Sequence, residues 1–187
     1  MGKTSAATVA RDMMRSFPIR AGFMVGICGG VWSEKTDIRL GDVIVSQQDG
    51  MHGGVVQRDY GKMERDRVFR RTGTLNKPPR PLLNAVQGLK AMHLRKGSIV
   101  HQHLKDMISK YPLMEEEYGS PGREQDELFD ASYDHACGDS CDKCDRGKVV
   151  KREPERKDGR PRIHYGNIAS GDEAMQSGIY IRDDYLV

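Results

Sequence analysis

The chain has 187 residues, of which 37% are hydrophobic and 30% charged, with a formal net charge of +3. That length fits one domain, but so polar a composition predicts either a disordered part or an incomplete core. The weak and evenly mixed charge argues against a nucleic acid as partner. No stretch reaches the roughly 18 apolar residues of a membrane span, and the N-terminus lacks the apolar core of a signal peptide. We therefore expect an intracellular, cytoplasmic location and no membrane contact.

Apolar residues at helical spacing predict three helices. The first begins at Thr4 or Ser5, whose hydroxyl can cap it, and ends before Pro18. The second runs from about Pro81 to Arg95 and the third from about Val100 to Tyr111. The second helix is expected to turn one apolar face to the core, namely Leu82, Leu83, Val86, Leu89 and Met92 or His93.

Short apolar runs bounded by turn residues predict the strands. Two such runs are residues 23–27 and residues 42–47, and "GGVVQRDYG" at 53–61 gives a third. A fourth candidate is "IHYGNIASG" at 163–171, followed by a short helix in "DEAMQSG". Helices interleaved with apolar strands favour an α/β domain with a largely buried sheet.

Three regions follow from these patterns. Residues 1–96 form the predicted α/β core, and residues 163–187 form a strand and a short helix. Between them, residues 97–162 hold one helix and then, from about Met114, a charged stretch with many helix-breaking residues. Such a stretch is typical of a long mobile insertion that takes no part in core packing.

Five blocks of sequence carry a resemblance to a known family. They are "TSAATVA", "MVGICGGVWSEKTDIRLGDVIVS", "GGVVQRDYGK", "RTGTLNKPP" and "IHYGNIASGD", in this order. The chain resembles the fungal branch of the nucleoside phosphorylase and nucleosidase superfamily, which includes the purine and uridine phosphorylases. The resemblance implies a central mixed sheet flanked by helices, cleavage of the N-glycosidic bond of purine nucleosides, a nucleoside as ligand, and no cofactor.

The same resemblance assigns a role to the glycines of "GICGG". Gly26, Gly29 and Gly30 would form a turn that lets the backbone approach a small anion or water. The family's phosphate-gripping Arg and Ser are matched here by Met24 and Ile27, which cannot pair with a dianion. Hydrolysis is therefore favoured over phosphorolysis, the alternative being a glycine pair that only ends a strand in a tight turn.

The resemblance also implies a nucleoside-binding set near the C-terminus. It comprises Ser170, Gly171, Asp172 and Met175, with Asp172 as a weak catalytic candidate or simply the cap of the last helix. The family's first strand, its ribose-binding Glu-Met-Glu element and its catalytic Asp have no match, so the domain resembles one truncated at both ends. We expect no nucleoside cleavage from this chain. The alternative is a non-catalytic remnant that senses nucleosides or contacts proteins, as a homo-oligomer or beside the missing remainder of the domain.

A cysteine cluster offers one further site. His135, Cys137, Cys141 and Cys144 could ligate zinc, and the last two have the spacing of half a zinc site. A zinc site usually needs a second pair of ligands elsewhere in the chain, and the sequence has none. Ordinary reduced cysteines are therefore favoured, and no metal is expected. The acidic neighbours of these cysteines argue against redox exchange. The basic run at 148–162 is interpreted as a solvated linker.

Overall fold

The computed structural model describes residues 3–64, 69–120, 122–134, 140–152, 156 and 158–171. Its helices are α1 (Lys3–Ser16), α2 (Arg80–Lys96), α3 (Val100–Lys110) and the single turn α4 (Glu115–Tyr118). The three predicted helices are thus confirmed to within two residues at most ends. Helix α2 begins at a proline-rich entry, and Gly97 ends it at a φ of 79°, donating its N–H to the carbonyl of His93.

Six strands lie in the described residues: β1 (Val43–Ser46), β2 (Val55–Gln57), β3 (Gly61–Met63), β4 (Phe69–Arg71), β5 (Ile163–Gly166) and β6 (Ile168–Ser170). They form three two-stranded sheets, β1 with β5, β2 with β6, and β3 with β4. The first two pairs are parallel and the third is antiparallel. An α/β class is therefore observed, whereas the predicted central mixed sheet flanked by helices is not present in the described part of the chain.

The two parallel pairs follow one another along the chain. Val43 pairs with Ile163 at one end and Gln57 with Ser170 at the other. Asn167 separates β5 from β6, is 4% exposed, and donates through its side-chain amide to the carbonyl of Asp49 at 3.3 Å. This arrangement gives a narrow parallel ribbon with long connections, as parallel pairing requires.

The strand predicted at residues 23–27 is not formed. Its apolar side chains are almost wholly exposed, at 78% for Phe23, 102% for Met24, 93% for Val25 and 105% for Ile27. A buried strand needs neighbours on its edges and faces, and no described element covers these residues.

Little of the described chain is buried. The buried apolar residues there are Ile38, Val56 and Cys144. The predicted inner face of α2 contains no buried residue, and Val9, Met13 and Met14 on α1 are exposed. The expected packing of this face of α2 against a core is therefore not seen among the described residues, because helical periodicity defines an apolar face without identifying what covers it.

The stretch predicted as an unstructured insertion contains local order. Short 3₁₀ turns occur at Pro112–Met114, Arg123–Gln125 and Arg146–Lys148, and an antiparallel bridge joins Phe129 to Val149. Cys144 and Arg156 are buried. The stretch therefore supplies part of the interior, contrary to prediction, while its mobility stays a prediction. None of the described helices combines the length and apolar character needed to cross a bilayer.

Candidate functional site

The most buried group of charged side chains surrounds Asp42, just before β1. Its carboxylate, 1% exposed, accepts from both ends of the Arg156 guanidinium, with Nη1 2.8 Å from Oδ1 and Nη2 2.6 Å from Oδ2. His164 Nε2 lies 2.8 Å from Oδ2, which places β5 at the same carboxylate. The planar guanidinium matches a carboxylate in this forked geometry, which is the strongest kind of charge-assisted hydrogen bond.

Backbone groups complete the shell around Asp42. The N–H of Arg39 donates to Oδ2 and the N–H of Arg162 to Oδ1, each at 2.9 Å. Five donors thus converge on two oxygens, so no lone pair is left to take a proton from a substrate. Asp42 binds three segments of the chain together and cannot serve as a general base.

A second carboxylate extends the network. Arg156 Nε lies 3.0 Å from Asp37 Oδ2, and Arg156 also donates to the carbonyl of Asp37. Arg39 Nε lies 2.8 Å from the same carboxylate oxygen. The Arg156 side chain is only 6% exposed, and four of its five N–H donors reach acceptors on Asp37 and Asp42, so the buried cation is paired with two carboxylates.

The pairing of Asp42 with Arg156 shifts the pKa of both side chains. Burial alone would raise the pKa of Asp42, but hydrogen bonds from His164 and Arg156 outweigh it and hold the pKa well below its usual range. Burial likewise opposes the charge of Arg156, yet Asp42 and Asp37 together raise its pKa. The pair is charged at every pH at which the protein is folded around it.

A small cavity of about 60 Å³ borders the network. It is lined by Arg39, Asp126 and Arg156, together with Leu40, Ser120, Gly122, Asp158, Gly159 and Arg160. Asp126 lies 3.0 Å from Arg152 Nη2 and 3.9 Å from Arg39 Nη1. Both arginines and aspartates line the cavity, so the lining does not single out an anion or a cation as ligand.

The glycines of the predicted anion-binding turn lie in a stretch that is neither helix nor strand. Gly26, Gly29 and Gly30 are exposed and none has a positive φ. A Cβ on Gly26 or Gly29 would meet nothing within 4 Å, whereas one on Gly30 would lie 2.6 Å from Cγ2 of Ile38. Gly30 is small because a buried isoleucine packs against its backbone, and that role needs no ligand.

The other predicted site residues divide between described and undescribed parts of the chain. Ser170 ends β6 and pairs with Gln57, its carbonyl accepting from the N–H of Arg58 at 2.8 Å, and the exposed Gly171 follows it. Asp172 and Met175 lie outside the described residues. Of the predicted nucleoside-binding set, the structure therefore describes only Ser170, which is a strand residue, and Gly171.

The cysteine cluster is described in part. Cys141 is half-buried and Cys144 buried, while His135 and Cys137 lie outside the described residues. Within the described part of the chain, no group of three potential ligands is close enough to hold a metal ion.

The central residues of the site were not found from the sequence. Arg156 lies in "EPERKDGRPR", which reads as a solvated linker because charges of both signs alternate there. Asp42 stands directly before a predicted strand, a position that many turn residues share. The sequence showed a single Asp just before a predicted strand. It gave no indication that this Asp contacts an Arg more than a hundred positions away.

Comparison with known proteins identifies one similar chain. It is a protein of Hyaloscypha variabilis named nucleotide-binding leucine-rich repeat (NLR)-like protein, 38% identical over 177 residues. The match spans 94% of this chain but 17% of the relative. No family model matches the chain, and no solved structure matches it.

These comparisons correct the predicted family. The relative is named as an NLR-like protein and not as a nucleoside phosphorylase, and no family model supports the latter. The predicted membership of the nucleoside phosphorylase superfamily is therefore wrong. The family activity that the resemblance implied, cleavage of the N-glycosidic bond of nucleosides, is withdrawn with it. The matched blocks are mainly glycine turns and apolar strands, which specify local structure and carry no chemistry of their own.

Proposed function

We propose that the chain is a non-enzymatic segment of an NLR-like protein and associates with a second copy of itself. The relative supports the first part, since it carries the NLR name and matches nearly the whole chain. The observation that carries the second part is the exposure of residues 21–28, called here the apolar arm. Its large side chains, Phe23, Met24, Val25 and Ile27, are between 78% and 105% exposed.

The backbone of the apolar arm is also unpaired. Among the described residues, no hydrogen bond involves positions 20–32, which lie between the bonds of Ile19 and Ser33. An extended apolar segment with free N–H and C=O groups is suited to adding as a strand to an open sheet edge.

Strand β1 offers such an edge within the same chain. It pairs with β5 on one side, where Val43 N and Gln47 N donate to Arg162 O and Gly166 O. Alternate residues of a strand direct their N–H groups to opposite sides, so Ile44 and Ser46 present theirs to the edge of β1 that no described strand pairs with.

One chain thus holds both complementary halves, which favours a second copy over an unrelated partner. In a two-fold exchange, each arm adds to β1 of the other copy. Burying four large apolar side chains contributes roughly 6–12 kcal/mol per arm, against a cost of association of roughly 4–15 kcal/mol. Because the cost is paid once for two arms, we expect a dimer that dissociates in the micromolar range or below.

The test uses substitutions at exposed positions, which leave the fold of the single chain unchanged. Val25→Lys places a charge in the arm, and Leu113→Lys is a matched control because Leu113 is 94% exposed outside the arm. Light scattering after size-exclusion chromatography should show dimers for the wild type and the control, and monomers for Val25→Lys. A wild-type monomer at all concentrations, or oligomers that both variants leave unchanged, would overturn the proposal.

A further inference from the structure

Residues 128–150 form a loop closed at its base by backbone hydrogen bonds. Phe129 bridges Val149, Asp130 N donates to Lys148 O, and Val150 N donates to Leu128 O, each of these bonds being 2.8 Å long. At the base, Arg146 also pairs with Glu127. The two described ends of this stretch are therefore held together by backbone hydrogen bonds and one ion pair.

Aromatic contacts fix the part of the loop that contains the cysteines. The rings of Phe129 and Tyr133 stack with centroids 5.6 Å apart, and the Tyr133 hydroxyl accepts from the N–H of Asp145 at 2.9 Å. Asp145 follows Cys144 directly, so this bond holds the second cysteine in place. Its neighbour Gly147 donates to the Asp145 carboxylate at 2.8 Å, which caps the following turn.

The two cysteines meet across a tight turn. Cys144 N donates to Cys141 O at 3.0 Å, the bond that closes a four-residue β-turn. Such a turn brings its end Cα atoms within about 7 Å, near the range that a disulfide spans. Cys144 is 6% exposed and Cys141 is more accessible.

We propose that Cys141 and Cys144 form an intramolecular disulfide when the chain meets a low-molecular-weight disulfide such as oxidised glutathione. The accessible Cys141 loses its proton and attacks one sulfur of the reagent, which releases one thiolate and leaves a mixed disulfide on Cys141. Cys144 then loses its proton and attacks the Cys141 sulfur, releasing the second thiolate. Two protein thiols are oxidised and one disulfide reagent is reduced to two thiols.

The surroundings set the rate of the first step. Burial and the adjacent Cys144 raise the pKa of the Cys141 thiol, although Arg146 lowers it. Since the thiolate is the attacking species, closure is slow at neutral pH and accelerates as the pH rises. The pair therefore responds to sustained oxidation and does not behave as a catalyst of thiol exchange.

The experiment incubates the full-length chain with oxidised glutathione and maps its cysteines by peptide mass spectrometry. In the wild type, we expect a peptide cross-linked between Cys141 and Cys144 and no lasting adduct on either. In Cys144→Ser, the glutathione adduct on Cys141 should become the major species, because the second attack is lost. Cys28→Ser is the control and should leave the cross-link unchanged.

Two results would overturn the proposal. One is a stable glutathione adduct on Cys141 in the wild type, and the other is a cross-link from Cys141 or Cys144 to Cys137 or Cys28. Repeating the incubation with Val25→Lys separates this inference from the proposed association, since the loop does not involve the apolar arm.

Discussion

Arg156 Nη2 lies 2.6 Å from Asp42 Oδ2, in a forked pair that joins positions 114 residues apart. The two side chains are 6% and 1% exposed. An ion pair at this depth stabilises weakly relative to apolar residues, but the loss of one member leaves the other charge buried and uncompensated. The pair therefore controls whether the segment around Arg156 stays attached to β1 and β5.

Replacing Arg156 by Met should destabilise the fold by about 3–5 kcal/mol, because Asp42 and Asp37 lose their shared cation. Arg160→Met is the matched control, since Arg160 is exposed and nearby in the chain; it should change stability by less than about 0.5 kcal/mol. Urea unfolding followed by circular dichroism measures both. Equal midpoints for the two variants would contradict a stabilising role for the pair.

The pH dependence of stability should depend on Asp42. Its pKa is lower in the folded chain than the value of about 3.9 for an unfolded Asp, so the unfolded state binds more protons between the two values. The stabilisation is complete above about pH 4 and is lost as the pH falls further. Asp42→Asn should be less stable at neutral pH and show a flatter acid limb in thermal unfolding. Asp12→Asn, at an exposed position on α1, should retain the wild-type profile.

The elements set by local pattern could be predicted from the sequence, and those set by distant partners could not. Helices α2 and α3 follow from apolar spacing with proline and glycine at the ends, and β1 follows from three consecutive branched residues. The segment at 23–27 has the same apolar character as β1 yet forms no strand, because apolar character alone does not decide whether a segment reaches the edge of a sheet. The charged cluster around Asp42 depends on Arg156, and no local sequence pattern shows that these two residues are in contact.

Gly30 should be far less tolerant of a side chain than its neighbour. Gly30→Ala would place a Cβ 2.6 Å from Cγ2 of the buried Ile38 and should cost about 1–3 kcal/mol. Gly29→Ala meets nothing within 4 Å and should be neutral or stabilising by up to about 1 kcal/mol. Thermal unfolding of the two variants side by side measures the difference. Similar stabilities would show that Ile38 does not pack against this backbone.

The attachment of α2 to β5 should depend on one polar contact. Tyr165 Oη lies 3.1 Å from His93 Nδ1, and Lys90 Nζ lies 5.2 Å from the centre of the same ring. Tyr165→Phe keeps the ring but removes the hydrogen bond, so it should cost about 0.5–1.5 kcal/mol. Tyr111→Phe is the control because Tyr111 is 50% exposed. Chemical denaturation measures the free energy of unfolding of both variants. An equal loss of stability in Tyr111→Phe would contradict a specific role for the hydrogen bond between Tyr165 and His93, because removing any tyrosine hydroxyl would then have the same effect.

The span between His164 and Asp42, 122 residues, fixes when the ribbon can form during synthesis. The backbone hydrogen bonds of helices α1 to α3 are local, so these helices can form within microseconds of leaving the ribosome. Strand β1 must wait for β5, and at roughly 5–20 residues per second this wait lasts several seconds or more. During it, the apolar arm and the β1 edge are exposed in every nascent chain. Because β1 pairs with a segment so distant in the chain, it has no partner until β5 emerges. Neighbouring chains on the same messenger RNA can form incorrect strand pairs with each other during that period.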